Sequence, residues 1–210
     1  MKKLGGFRTI VCLLISVCFQ SCSERQMPVD NGGSELLLAR KERDRAFQSN
    51  PESPVPVADR GRFGGLDYYP PDLNLRFRVK LNRYSRPEPM RMTTNTGEVR
   101  SGLRYGFFEF RCGEVTCRLR VYRLEDDSAS GKASLFVPFL DATTGTETYS
   151  GGRYLDLTEN TSGIYNLDFN LAYNPYCAYG GDFSCPVPPE ENRIPVAIRA
   201  GEKNYPLSRK

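Results

Sequence analysis

The sequence predicts a mainly β fold, a single β-sandwich or partly open barrel-like domain with an N-terminal helix. Three observations carry this expectation. Apolar residues alternate with period two in several stretches after residue 70. Gly, Asp, Ser and Thr cluster between those stretches, and only one segment has helical spacing.

The elements follow in chain order. MKK and Arg8 precede the apolar run TIVCLLISVCF, which is too short to cross a membrane and suits the core of a signal peptide. Ser21 then precedes Cys22, where lipoprotein processing would lipidate the cysteine and make it the new N-terminus. Phe19 and Gln20 depart from the usual upstream residues, and ordinary cleavage after Ser23 is the rival reading. The expectation is a lipoprotein-type leader at 1–22, a flexible tether at 23–33 and one domain at 34–210. The protein would then be exported and lipid-anchored to the cell envelope, on its periplasmic or surface face.

Ser34 before ELLLARKERDRAFQ reads as an N-capped helix contacting the core through Leu36, Leu37, Ala39 and Phe47. Asn50-Pro51 ends it. Residues 73–82 alternate Leu73, Leu75, Phe77, Val79 and Leu81 with Asn74, Arg76, Arg78, Lys80 and Asn82, a half-buried strand with one basic wet face. FFEFRC and CRLRVY form a hairpin around the connection GEVT. ASLFVPFLD, the stretch 164–174 and IPVAIRA supply further strands. Gly64-Gly65 and Gly151-Gly152 read as turns.

The chain carries 29 basic and 25 acidic residues. Loss of Lys2, Lys3 and Arg8 with the leader would leave a net charge of +1, so overall basicity is no argument for nucleic acid, and no nucleic-acid partner is expected. Residues 73–123 hold 12 basic and 4 acidic side chains, whereas 124–203 hold 5 basic and 12 acidic. Either the two parts neutralise each other within one fold, or the basic half meets an anionic partner.

Histidine is absent from the sequence. That removes Ser-His-Asp and Cys-His nucleophilic catalysis and histidine-based zinc hydrolysis. SGKAS lacks the flanking residues of a phosphate loop, and no cofactor is called for. Beyond Cys22, the four late cysteines are Cys112, Cys117, Cys177 and Cys185. In an exported protein they read as two bridges, 112–117 and 177–185, in preference to a zinc site with spacings C-x4-C and C-x7-C. No metal is expected on them.

The stretch 164–174 places Leu167, Phe169, Leu171 and Tyr173 on one face and Asn166, Asp168, Asn170 and Asn174 on the other. Asn and Asp are poor strand formers, so this row is either a ligand-binding surface or a polar network serving nearby loop backbone. Tyr176, Glu191, Asn192 and Arg193 would lie at its far end as further candidates. A small polar ligand or glycan suits such a surface, and so would Ca²⁺ held by oxygen ligands. The alternative is a carboxylate-dependent hydrolase pairing Asp168 with Glu191 or Glu202 on an envelope glycan or similar substrate.

FGGLDYYPPDLNL, LFVPFLDATTGTETYSGGRYLDL and LDFNLAYNPYCAYGGDFSCPVPPEENRIPVAIRAGEK together resemble the uncharacterised bacterial family catalogued as domain of unknown function 1684. The resemblance implies one β-rich domain of bacterial origin and transfers no activity or catalytic residue. Cys177 and Cys185 match the family's pattern, whereas Cys112 and Cys117 do not belong to it.

Overall fold

The computed structural model describes residues 33–125 and 134–205. The leader, Cys22 and residues 23–32 of the tether lie outside the described residues. No described helix is long and apolar enough to cross a membrane.

The architecture is mainly β. Among the described residues, helix α1 (Gly33–Ser49) and the single turn α2 (Val57–Arg60) precede seven strands. These are β1 (Arg76–Lys80), β2 (Asn82–Thr93), β3 (Val99–Cys112), β4 (Val115–Leu124), β5 (Ser134–Phe139), β6 (Arg153–Thr158) and β7 (Ile164–Asp168). Strands β2 to β6 form an antiparallel sheet in sequence order, and β1 pairs with β7 in a separate two-stranded sheet. The sheets do not close into a barrel.

The main core lies between the sheets. Val79 and Leu167 from the small sheet meet Phe108, Leu119, Val137 and Leu155 from the large one, with Phe169 at the centre. Phe77, Phe110 and Phe139 ring Phe169, with centroids 6.0, 5.5 and 5.3 Å from its own.

Several elements depart from the sequence reading. Residues Leu73–Leu75 form a 3₁₀ turn capped by Asp72, so Leu73 is exposed and the strand begins at Arg76. Strand β2 is an edge strand whose Pro87 and Pro89 hide it from a period-two reading, since proline is tolerated only where no ladder donor is needed. IPVAIRA forms no strand. Pro195 has no N–H, and the segment is pinned irregularly, with Ile194 N–H to Leu140 O at 2.9 Å and Ile198 N–H to Asp141 Oδ2 at 2.7 Å. Fully buried Arg153 satisfies the carbonyls of Ile198, Ala200 and Glu202.

Helix α1 docks in an unexpected way. Its buried residues are Leu36, Arg40 and Phe47, while Leu37 and Ala39 face solvent. Arg40 donates to Tyr69 O at 2.8 Å and Asn170 O at 3.3 Å, and Arg43 reaches buried Glu202. Arginine therefore performs part of the docking expected of leucine.

The oppositely charged halves are joined by ion pairs. Arg76 meets Asp168 at 2.7 Å, Arg104 and Arg120 meet Glu191 at 3.0 and 3.4 Å, and Arg123 meets Glu159.

Candidate functional site

The second face of the large sheet is also apolar. Register aligns Glu88, Arg104, Tyr122, Phe136 and Asp156 in one row across all five strands. Around the middle of that row, Met92, Tyr122, Leu124, Phe136 and Tyr154 form a second buried cluster. The segment after β7 crosses this face and is hydrogen-bonded to it at both ends. Tyr154 and Tyr173 exchange backbone bonds at 2.9 and 3.1 Å, and Val187 N–H reaches Thr93 O at 2.8 Å.

Between sheet and crossing segment lies an open cleft of about 500 Å³. Leu124, Phe136 and Tyr154 form its floor. The crossing segment lines the rest of it, with Tyr173, Pro175, Tyr176, Phe183, Ser184, Cys185 and Pro186. Arg43, Arg100 and Asp156 supply its charges.

The polar groups of the cleft are held in place. Tyr173 donates its hydroxyl to Asp156, and Tyr154 donates to Pro186 O. Burial pushes both phenols well above their ordinary range, with Asp156 adding to the effect on Tyr173, so both remain neutral. Burial opposes the charge of Arg43, but Glu202 and Tyr179 outweigh it and hold the guanidinium protonated. Nη2 of Arg43 is buried with no acceptor among the described residues. The guanidinium also lies over the rings of Phe47 and Tyr173, at 4.7 and 5.2 Å from their centroids.

The family model described as "Protein of unknown function (DUF1684)" matches residues 61–203. The chain belongs to that family. The match spans both sheets and every cleft residue except Arg43, which α1 brings from outside it. The solution NMR structure of an uncharacterized protein from Haloarcula marismortui is similar to this DUF1684 chain, with 37% identity and a TM-score of 0.62. That likeness covers 81% of this chain and 92% of the other. No curated protein matches the chain.

The eight candidate residues expected from the sequence do not converge in this DUF1684 domain. Strand β7 ends at Asp168 and a 3₁₀ turn at Phe169–Leu171 follows, so the shared strand face does not exist. Asn166 is exposed opposite Arg78, and Leu171, expected in the core, is exposed as well. Asp168 accepts from Arg76 at 2.7 Å and from Asn170 N–H at 3.0 Å. Buried Asn170 clamps the backbone of Asp72, accepting from its N–H and donating to its carbonyl, each at 2.8 Å. Buried Asn174 donates to Lys203 O at 2.8 Å.

Glu191 accepts from Arg104 at 3.0 Å and from Tyr122 at 2.7 Å in a separate surface pocket. Arg193 is exposed and paired with Glu190. Fully buried Asn192 donates to Pro138 O at 2.6 Å and Arg120 O at 3.0 Å, and accepts from Arg120 N–H at 2.7 Å. Its amide bridges β4 to β5 beside Pro138, which cannot donate to a ladder. Of the eight, only Tyr176 lines the cleft. Asp168, Glu191 and Glu202 are each held by different partners. No group of three or more Cys, Asp or Glu among the described residues could hold a metal ion.

The cysteine bridges expected from the sequence are absent, and all four late cysteines are free thiols. The hairpin turn is two residues, Gly113-Glu114, with Cys112 opposite Val115 and Cys117 opposite Phe110. Cys112 and Cys117 are thus diagonal neighbours, and such pairs stand farther apart than a disulfide spans. Cys177 and Cys185 do adjoin, with Cys177 N–H donating to Cys185 Sγ at 3.3 Å.

Sequence reasoning missed Phe136, Tyr154, Asp156, Tyr173, Arg43 and Arg100. One signal was present. LFVPFL is apolar without alternation, the mark of a strand buried on both faces.

Proposed function

We propose that this DUF1684 chain is an exported, lipid-anchored envelope protein whose folded domain binds a small polar ligand or glycan in the cleft. One observation carries the binding reading: an open, preformed cleft of about 500 Å³ with tyrosine walls and fixed charges at Arg43, Arg100 and Asp156. Volume and lining match those of small-molecule sites, which combine apolar walls with a few oriented polar groups. Tyrosine faces suit a sugar ring or other flat moiety, and the cationic side chains of the cleft, Arg43 and Arg100, suit an anionic group such as a carboxylate or phosphate. The anchored location rests on the basic, apolar and small-residue order of the leader and on Cys22.

The test is a thermal-shift screen of the full chain in detergent against N-acetylated sugars, muropeptides and small organic acids. A hit should raise Tm with rising ligand concentration, and Tyr176→Ala or Arg100→Ala should lose the shift. A hit unaffected by both variants places binding elsewhere and overturns the cleft. Fractionation of Cys22→Ser tests the anchor separately: parent in membranes with an acyl label, variant released.

A further inference from the structure

We propose that Cys177 and Cys185 form a reversible dithiol–disulfide couple at the cleft, with Cys177 the attacking sulfur and Cys185 the resolving one. The expected role of this pair was a permanent clamp; the geometry points to a couple poised in its reduced form. Cys177 is half-buried and so within reach of a small reagent, whereas Cys185 is buried and faces the cleft. Main-chain anchors position both. Asn95 Oδ1 accepts from Cys185 N–H, at 2.6 Å, and Asn95 N–H returns a bond to Cys185 O at 3.0 Å. Cys177 lies within the 3₁₀ turn Tyr176–Tyr179, whose Ala178 N–H reaches Pro175 O at 2.9 Å.

Two contacts favour the open form. Cys177 N–H points at Cys185 Sγ at 3.3 Å, and Tyr149 Oη lies 3.6 Å from Cys177 Sγ. The bond from Cys185, then that from Tyr149, draws the Cys177 thiol down to about 6, and the same contact with Cys177 pushes Cys185 up. A stabilised thiolate is both the attacking species and a good leaving group, so a bridge closed on it is readily reduced. The other pair serves as an internal contrast. Burial raises both Cys112 and Cys117, and their diagonal register keeps them apart.

The step needs a disulfide as oxidant, and glutathione disulfide serves. The Cys177 thiolate attacks one of its sulfurs, that S–S bond breaks, and one glutathione thiolate leaves. Cys185 then attacks the Cys177 sulfur, releasing the second glutathione, which takes up the Cys185 proton. The two cysteines lose two electrons to the glutathione pair, and reduction is the reverse. Closure must draw Cys177 towards the anchored Cys185. Gly180, with φ +97°, sits in the intervening loop, and the cleft walls Tyr176 and Phe183 stack edge-on across it at 5.3 Å.

The couple stands or falls without any cleft ligand. The folded full chain is equilibrated in glutathione buffers of graded ratio, trapped with N-ethylmaleimide and mapped by non-reducing mass spectrometry. The expected result is a 177–185 cross-link that forms and reverses with the ratio while Cys112 and Cys117 stay alkylated. Iodoacetamide should modify Cys177 at pH 7 at least roughly fourfold faster than Cys112, with a rate that levels off above about pH 7. In Cys185→Ser a mixed disulfide with glutathione should accumulate on Cys177, and Tyr149→Phe should move the Cys177 profile to higher pH. No cross-link in excess glutathione disulfide, a cross-link that no thiol reverses, or Cys177 reacting no faster than Cys112 would each overturn the proposal.

Discussion

Nε of Arg43 donates to Oε1 of Glu202 at 2.8 Å, and this contact joins the first helix to the end of the described chain. Glu202 is only 2% exposed and also accepts from Asn174 N–H and the Tyr179 hydroxyl. Arg43→Ala leaves that carboxylate without its counter-charge and should cost about 2 to 4 kcal/mol in urea unfolding. Arg43→Met combined with Glu202→Gln should cost less than the two single changes together, because neither charge is stranded. Strict additivity would sink the pairing argument.

Asn192 should behave as a structural residue. Its side chain makes three hydrogen bonds to the backbone of Arg120 and Pro138, all at a site closed to water. Asn192→Ala should therefore cost about 2 to 5 kcal/mol, since buried donors and acceptors lose their partners. Loss of under about 0.5 kcal/mol would mean the β4–β5 seam does not depend on this amide.

Asn166 and Asn170 should respond with opposite sign to the same substitution. Asn166 is exposed on β7, so Asn166→Thr should stabilise by a few tenths of a kcal/mol through strand propensity. Asn170 clamps Asp72 from a buried turn, so Asn170→Thr should cost about 1 to 3 kcal/mol. One melting series of the two variants checks both signs.

Acid should weaken the Glu191 network. Burial alone would raise its carboxyl, but hydrogen bonds from Tyr122 and Arg104 outweigh this and hold it below the ordinary range. A carboxyl lowered by folding stabilises fully above its unfolded value of about 4.3 and loses that contribution as pH falls through the folded value. The Glu191→Gln penalty in Tm should thus be greatest near neutrality and shrink below about pH 4. A penalty that stays constant down to pH 3 contradicts this.

Much of the β core was legible. Val79, Leu81, Phe108, Phe110, Leu119 and Val121 alternate in sequence because a strand's side chains alternate between core and solvent, and each is buried as that pattern requires. The pattern failed where local chemistry overrode it. Asp72 and Asp168 cap 3₁₀ turns that take Leu73 and Leu171 out of the core, and prolines conceal β2.

The candidate site was legible only in part. Of the clustered Asn and Asp, Asp168, Asn170 and Asn174 are buried while Asn166 meets solvent, and whether a buried amide faces a ligand or a carbonyl depends on what lies opposite. Asn170 finds Asp72 and Asn192 finds Pro138, 98 and 54 residues away in the chain. Tyr176 was the exception, since an exposed aromatic beside the crossing segment needed no distant partner to reach the cleft.

The sequence by itself determined the mainly β class, the single leading helix, the exclusion of histidine chemistry and the family. These rest on periodicity, composition and local motifs, which act over a few residues and survive without knowledge of the fold. Tertiary structure alone decided that Arg40 and Arg153 are interior, that Cys177 meets Cys185 while Cys112 passes Cys117 diagonally, and that a cleft opens over Phe136 and Tyr154. A buried charge or thiol takes its character from partners that only folding brings within hydrogen-bond range; Arg43 and Glu202 are 159 positions apart.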